Sequence, residues 1–468
     1  MDYTLLIGGE KVAAANHQDI RNPSTGDIVG RMPLATPEQL DQAVEAAARA
    51  FQDWSRRPEE ERAQACRDVA GAIDAHAEEL ATLLTLEQGK PMNGLGSRFE
   101  IGGALAWTRY TAELSLPIEV LQDNNEGRVE LHRKPIGVVG SITPWNWPVM
   151  IACWHIIPAI RAGNTIVIKP SPMTPLSTIR LVEIMNEVLP SGVVNVVTGE
   201  NPIGAALSAH PGIAKMTFTG STATGKKVMA SAVETLKRLT LELGGNDAAI
   251  VMPDADPAKV APGIFGGAFL NAGQVCLAIK RVYAHSDIYD ALCVELARLA
   301  EEAIVDDGLK QGVQIGPLQN AAQYEKVKGF LDDAKANGTI VAGGVVEDRP
   351  GYFIRPTIVR DIADGTRIVD EEQFGPILPV IRFDDPEDAL ARANASAMGL
   401  GGSVWGSDRE KLRDMASRME SGTTWINQHL DFGPTIPFGG AKQSGLGVEF
   451  AEEGLHEFTQ LHIINEAK

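Results

Sequence analysis

Five short runs decide the architecture: IGVVGSI (136–142), TIVIKP (165–170), VVNVVTG (193–199), KMTFTG (215–220) and AAIVM (248–252). Each is rich in Val, Ile and Thr and apolar along most of its length, not only at alternate positions. A strand with apolar side chains on both faces needs cover on both faces, which is the condition of a parallel sheet between helical layers. Helical stretches separate the runs at the spacing that βαβ crossovers require. A second set follows residue 280, namely RVYAHS, TIVAGG, ILPVIRF, SVWGS and GTTWINQ, again interleaved with helical patterns such as Ile288 to Ile304. The pattern predicts an α/β fold of two open α/β domains.

Toward the N-terminus the texture is helical. Thr36-Pro37-Glu38-Gln39 reads as a capping box with Pro at the first helical position, followed at helical spacing by Leu40, Ala43, Val44, Ala47, Phe51 and Trp54. Arg62 to Leu86 predicts a second long helix, stopped at Gly89-Lys90-Pro91. At the other end, LHIINEA (461–467) is an apolar strand whose edge needs a partner.

The 468 residues suggest two or three packed units, at roughly 150 residues each. Lys and Arg number 42 against 61 Asp and Glu, a formal charge of −19, which argues against a nucleic-acid partner because duplex affinity rests on clustered cations. The most apolar stretch, Pro148 to Ile160, carries His155 and Pro158 and falls short of the run of about 18 residues that spans a bilayer. Asp2 stands where a signal peptide would place positive charge, so a cytoplasmic protein without a membrane partner is expected. The four cysteines, Cys66, Cys153, Cys276 and Cys293, form no C-x-x-C pair, so neither a structural metal nor a disulfide framework is expected.

Two motifs carry chemistry. Gly220-Ser221-Thr222-Ala223-Thr224-Gly225-Lys226-Lys227 follows a strand and opens a helix, where backbone N–H groups can hold a phosphate. Lys227 stands where a P-loop needs Ser or Thr, and no Gly-x-Gly-x-x-Gly occurs. The loop alone therefore leaves open a P-loop-like nucleotide hydrolase and a plain strand-to-helix turn. In Asn271-Ala272-Gly273-Gln274-Val275-Cys276 the cysteine sits among small and polar residues, whereas the other three lie in apolar or helical patterns and read as core.

Seven motifs then occur in one order: Pro144-Trp145-Asn146-Trp147-Pro148, Lys169-Pro170-Ser171, Phe218-Thr219-Gly220-Ser221, Glu242-Leu243-Gly244-Gly245-Asn246, the Cys276 segment, Glu372-Gln373-Phe374-Gly375-Pro376 and Pro437-Phe438-Gly439-Gly440. In this order they resemble the aldehyde dehydrogenase superfamily, from end to end of the chain. The resemblance implies Cys276 as nucleophile, Asn146 with the Cys276 amide as oxyanion hole, and Glu242 as the base that activates water on the thioester. A carboxylate at 242 favours hydrolysis over transfer to coenzyme A. For NAD, with NADP possible, it implies contacts from Trp145, Lys169, Ser171, Gly220, Ser221, Gly225, Gly244, Glu372 and Phe374. Around the aldehyde it implies Trp147, Ile151, Trp154, Leu270, Phe432 and Phe438, a set that would equally suit ordinary core and that favours uncharged aliphatic or aromatic substrates. Asn427 matches a position behind the active site.

The implied division is a dinucleotide-binding domain (1–116 and 136–244), a catalytic domain (245–443) and a small β oligomerisation arm (117–135 and 452–468) of a homodimer or homotetramer. The chain departs from the family at His155, where Lys is common, and at Pro172, where NAD-preferring members often carry Glu. A non-catalytic binding protein on the same fold is the other alternative; the joint presence of Cys276, Glu242 and Asn146 weighs against it.

Overall fold

The computed structural model describes residues 2–468. Its first sheet has eight strands, and five parallel ones form the centre: Val194–Val196, Thr165–Lys169, Val138–Ile142, Lys215–Thr219 and Arg238–Glu242, in that spatial order. Leu5–Ile7 with Glu10–Val12, and Gly445–Leu446, add antiparallel edges. The chain thus winds outward in one direction and then, from Val138–Ile142 to Lys215–Thr219, in the other. Between those two strands lies the switch point at which a doubly wound sheet leaves a crevice beyond its carboxyl ends. Apolar clusters cover both faces, one around Val139, Ile166 and Ile168, the other around Val138, Val167 and Met216.

The chain passes from the end of the first sheet at Glu242 to the start of the second at Asp247. The second sheet has seven strands, in the order Thr339–Ala342, Thr357–Arg360, Ile377–Phe383, Ile279–His285, Asp247–Val251, Gly401–Trp405 and Thr423–Ile426; all neighbours but the first pair are parallel. Both faces are again buried. Each predicted run thus forms a strand, with ends displaced by a few residues.

Helix prediction holds at Thr36, whose hydroxyl accepts from the Gln39 amide while the Gln39 side chain accepts from the Thr36 amide. It fails in one place. The single helix expected over 62–86 is two, Glu59–Ala75 and Ala77–Gln88, broken at His76. Val69, Ile73, Leu80 and Leu84 are buried on both sides of the break at unchanged helical spacing, so the apolar pattern carries no mark of it.

A third, antiparallel sheet joins Glu119–Asp123, Gly127–Pro135 and the C-terminal Thr459–Ala467. Helix Ala451–His456 precedes the last strand and buries Leu455, and Phe458 follows it into the first core. Beyond Thr459 every residue of the last strand is exposed, Ile463 and Ile464 included.

Candidate active site

Two cavities meet at one thiol. The first is the crevice at the switch point. Pro144, Trp145 and Asn146 line it from beyond Val138–Ile142, Thr219, Gly220 and Ser221 from the end of Lys215–Thr219, and Leu243 and Gly244 from beyond Arg238–Glu242. Glu372 and Phe374 close it from the second unit, with the Trp145 and Phe374 rings edge to face at 5.3 Å. The second cavity is a tunnel of about 400 Å³ lined by Trp147, Ile151, Trp154, Leu270, Phe432 and Phe438, among others. All six residues expected around the aldehyde are therefore brought together. Among the described residues, no Arg or Lys lines the tunnel. Cys276 and Ile151 line both cavities.

The cysteine loop is held against its preference. Asn271 and Ala272 adopt left-handed backbone at φ 51° and 56°, and Gly273 follows at 73°. A run of non-glycine residues in that region persists only where the surroundings over-determine it. Here the surroundings are polar and buried. Gln274 donates to the Asn271 and Pro317 carbonyls and accepts from the Gln319 amide, while the Asn271 side chain donates to the Asn146 carbonyl at 3.1 Å.

Asn146 is tied to the same loop through its side chain, whose Nδ2 donates to the Gln274 carbonyl at 2.9 Å. An amide nitrogen has two donors, so one hydrogen remains for a substrate oxygen. The Asn146 carbonyl also accepts from Lys90 Nζ at 2.7 Å. That ammonium is buried, pairs with Glu100 at 2.5 Å and lies 3.5 Å from the centre of the Trp147 ring. Burial pushes Lys90 down to about 8. Glu100 in turn accepts from the Val149 and Met150 amides at the start of helix Pro148–Arg161, which has no side-chain cap of its own. Neither Lys90 nor Glu100 carries a sequence signal: Lys90 reads as part of a helix stop, and nothing in the sequence singles out Glu100.

Burial pushes the Cys276 thiol up to about 12, with Glu242, Glu372 and Asp247 adding to the rise and Lys280 opposing it. The residue is half-buried and opens onto both cavities, so solvent there offsets part of the shift. Glu242 is buried, neither carboxylate oxygen has a hydrogen-bond partner among the described residues, and desolvation with Glu449 nearby raises its pKa well above the usual range. An orphaned buried carboxylate is costly in a resting fold. His155, in place of the family's Lys, is fully buried. Its Nδ1 lies 2.8 Å from the Ser141 hydroxyl, and its Nε2 lies 3.1 Å from the Thr219 hydroxyl and 3.2 Å from Glu449 Oε1.

The crevice has the features a dinucleotide needs. Ser221 caps helix Thr222–Ala232, whose N-terminus opens beside the crevice. Glu372 accepts from the Gly245 amide, and a Cβ at Gly244 would stand 2.4 Å from its Oε2, so only glycine lets that carboxylate lie there. Lys169, Ser171 and Gly225 do not line the crevice. Among the described residues Lys169, ending the strand beside Ile142, has no carboxylate partner, and its Nζ reaches only the Pro170 carbonyl at 3.2 Å; burial pushes it down to about 8. A buried cation without a counter-charge suits an incoming polar ligand. Ser171 accepts from the Met173 amide. At Gly225 the missing Cβ makes room for Leu243, 2.5 Å from its ideal position, so this glycine serves helix-to-strand packing rather than approach to a ligand. Asn427 is exposed and bonds both backbone groups of Gly406, which places it in a turn away from both cavities.

A crevice at the switch point of a doubly wound sheet, meeting an apolar tunnel at a thiol, is the architecture of a nucleotide-dependent oxidoreductase. The family described as the aldehyde dehydrogenase family matches residues 11–464. The chain is 40% identical over 466 residues to aldehyde dehydrogenase LUC3 of Fusarium sp, with 98% of each chain covered. It is 37% identical over 480 residues to phenylacetaldehyde dehydrogenase of Pseudomonas fluorescens, covering 98% of this chain and 95% of that one. An NAD+ complex of aldehyde dehydrogenase from Bacillus cereus superimposes with a TM-score of 0.97 at 35% identity, covering 100% of this chain and 97% of the other. The chain belongs to the aldehyde dehydrogenase family and is an NAD(P)-dependent aldehyde oxidoreductase. Neither the family nor these relatives support a P-loop hydrolase. Among the described residues, no helix is long and apolar enough to cross a membrane.

Proposed function

We propose that the protein oxidises an uncharged aliphatic or aromatic aldehyde to the free acid, through a hemithioacetal and then a thioester on Cys276. The observation that carries this reading is the shared thiol: Cys276 faces the nucleotide crevice on one side and an apolar tunnel on the other. A carbonyl carbon presented from the tunnel takes a bond from Sγ, and its oxygen, now negative, accepts from the free Asn146 N–H. The bound nicotinamide supplies the acceptor for the hydride that leaves this carbon. Glu242 then takes a proton from water as the water oxygen adds to the thioester carbon; the C–S bond breaks and the acid departs.

In this reading residues 1–116 and 136–244 bind the cofactor, 245–443 carry the nucleophile, and the three-stranded sheet assembles a homodimer or homotetramer. The exposed Leu461, Ile463 and Ile464 support the last assignment. Removing residues 461–468 should yield monomers or aggregates by light scattering, and a monomeric full-length chain would contradict it. Four free thiols and an acidic surface suit a reducing, cytoplasmic setting.

The decisive experiment measures NADH formation and acid product over a panel of aldehydes, with and without coenzyme A. Stoichiometric acid without coenzyme A is expected. Product that forms only as the coenzyme A thioester would end the hydrolytic reading.

A further inference from the structure

A third buried lysine, unlike Lys90 and Lys169, touches the nucleophile loop, and the chemistry described so far makes no use of it. Lys280 is 1% exposed and lies four residues beyond Cys276, in strand Ile279–His285. Its Nζ donates to the Cys276 carbonyl at 2.6 Å, the Val275 carbonyl at 3.0 Å and the Ala278 carbonyl at 3.4 Å. It also lies 3.4 Å from Glu372 Oε1. An ammonium has three donors and no acceptor, so this one is fully engaged, and every partner belongs either to the nucleophile loop or to the carboxylate over the cofactor crevice. Carbonyl satisfaction alone would not require a charge, since a neutral amide can donate to the same oxygens. The ionic contact with Glu372 is what a purely structural donor would lack.

We propose that Lys280 is a positioning residue for both halves of the reaction: it fixes the Cys276 loop through the loop's own carbonyls, favours the thiolate through its charge, and holds Glu372 toward the crevice. The inference rests on Cys276 being the nucleophile. The acidic groups around the thiol are Glu242, Glu372 and Asp247, of which burial raises Glu242 and Asp247, and two cations face them: Lys280, and Lys326 in the crevice wall, whose Nζ donates to the Glu372 carbonyl at 3.0 Å. Removing Lys280 takes away the cation that opposes the rise of the thiol, so the thiol becomes harder to ionise.

The test reads the thiol directly, by the pH dependence of Cys276 alkylation with iodoacetamide in the full-length protein. Cys66, Cys153 and Cys293 are buried and stay silent under native conditions. Lys280→Gln keeps N–H donors and loses the charge, Lys280→Met loses both, and Lys280→Arg keeps the charge. Near neutral pH the Gln and Met variants should alkylate about tenfold more slowly, equivalent to one pKa unit, and Lys280→Arg should recover most of the rate. The KM for NAD+ should rise several-fold in the Met variant, with Glu372 released. An unchanged rate–pH curve in folded Lys280→Gln, with only the melting temperature lowered, would reduce Lys280 to a structural donor and overturn the proposal. If Lys280→Met does not fold, the Gln and Arg pair decides the same question. Alkylation needs no aldehyde, so a failed hydrolytic reading would appear in the product assay and leave this result standing.

Discussion

The crevice and the tunnel that meet at Cys276 are built by different means. Backbone makes the crevice: three strand ends and the loops beyond them set its walls, and single residues such as Gly244 adjust the fit. The tunnel is made of side chains, notably one face of helix Pro148–Arg161 with aromatic rings from the loop around Phe432 and Phe438. Topology can hardly vary without loss of the fold, whereas side-chain volume can. Cofactor chemistry should therefore be robust to tunnel substitutions, and substrate choice should be sensitive to them.

The largest break in that scheme is at the junction itself. Cys276→Ala should remove aldehyde oxidation, by about 10⁴-fold or more, while NAD+ binding measured by calorimetry is preserved. Turnover that survives in this variant, or inactivation by alkylation that maps to Cys153 or Cys293, would place the chemistry elsewhere.

Variants of Asn146 and Glu242 test the proposed division into two half-reactions. Asn146→Ala should slow acylation by about 10²–10³-fold, the effect of losing one oxyanion donor. Glu242→Gln should permit hydride transfer and slow hydrolysis, giving a burst of NADH followed by a slow phase. A base works only when deprotonated, so with Glu242 raised by burial and Glu449 the hydrolytic step should speed up as pH increases. Glu449→Gln removes one cause of the rise and should move the acid limb of the pH profile downward. A burst-free loss in both the Asn146 and the Glu242 variants would leave Glu242 without its role.

The same division explains what the sequence made legible. Runs such as Thr165–Lys169, buried at every residue, announce themselves by composition, because a strand covered on both faces has little room for polar residues. The crevice followed because loops after such strands are short and their motifs contiguous. Contacts between distant segments were not legible. Lys90, Glu100 and Asn146 meet only after two helices fold back on the first sheet, and Glu449 reaches His155 across almost 300 residues of chain. The helix break at His76 shows the converse limit: the local pattern was unbroken, and tertiary packing decided the outcome.

The tunnel offers a smaller, selective effect. Phe432 is half-buried among Trp107, Trp154, Phe438 and Phe450, with ring centres 5.7–6.5 Å away. Phe432→Ala should lower kcat/KM for an aromatic aldehyde by about 10–100-fold, spare a two-carbon aldehyde, and leave the KM for NAD+ unchanged. A parallel loss for both aldehydes would mean that the ring supports the loop instead of reading the substrate.

The smallest expected effect lies outside both cavities, at Pro172, just past Lys169 and Ser171. A carboxylate there would accept a hydroxyl of the adenosine ribose and repel a 2′-phosphate. Proline does neither, and Lys169, buried without a counter-charge, is free to meet either group. We expect NAD to be preferred and NADP tolerated. Pro172→Glu should cut kcat/KM for NADP by about tenfold, roughly 1.4 kcal/mol, and leave NAD within a factor of about two. Because the change lies outside the tunnel, the ranking of aldehydes should not move. Wild-type enzyme that already rejects NADP as strongly as the mutant would show that another group enforces the choice. A shifted aldehyde ranking would show that the crevice and the tunnel are less independent than their construction implies.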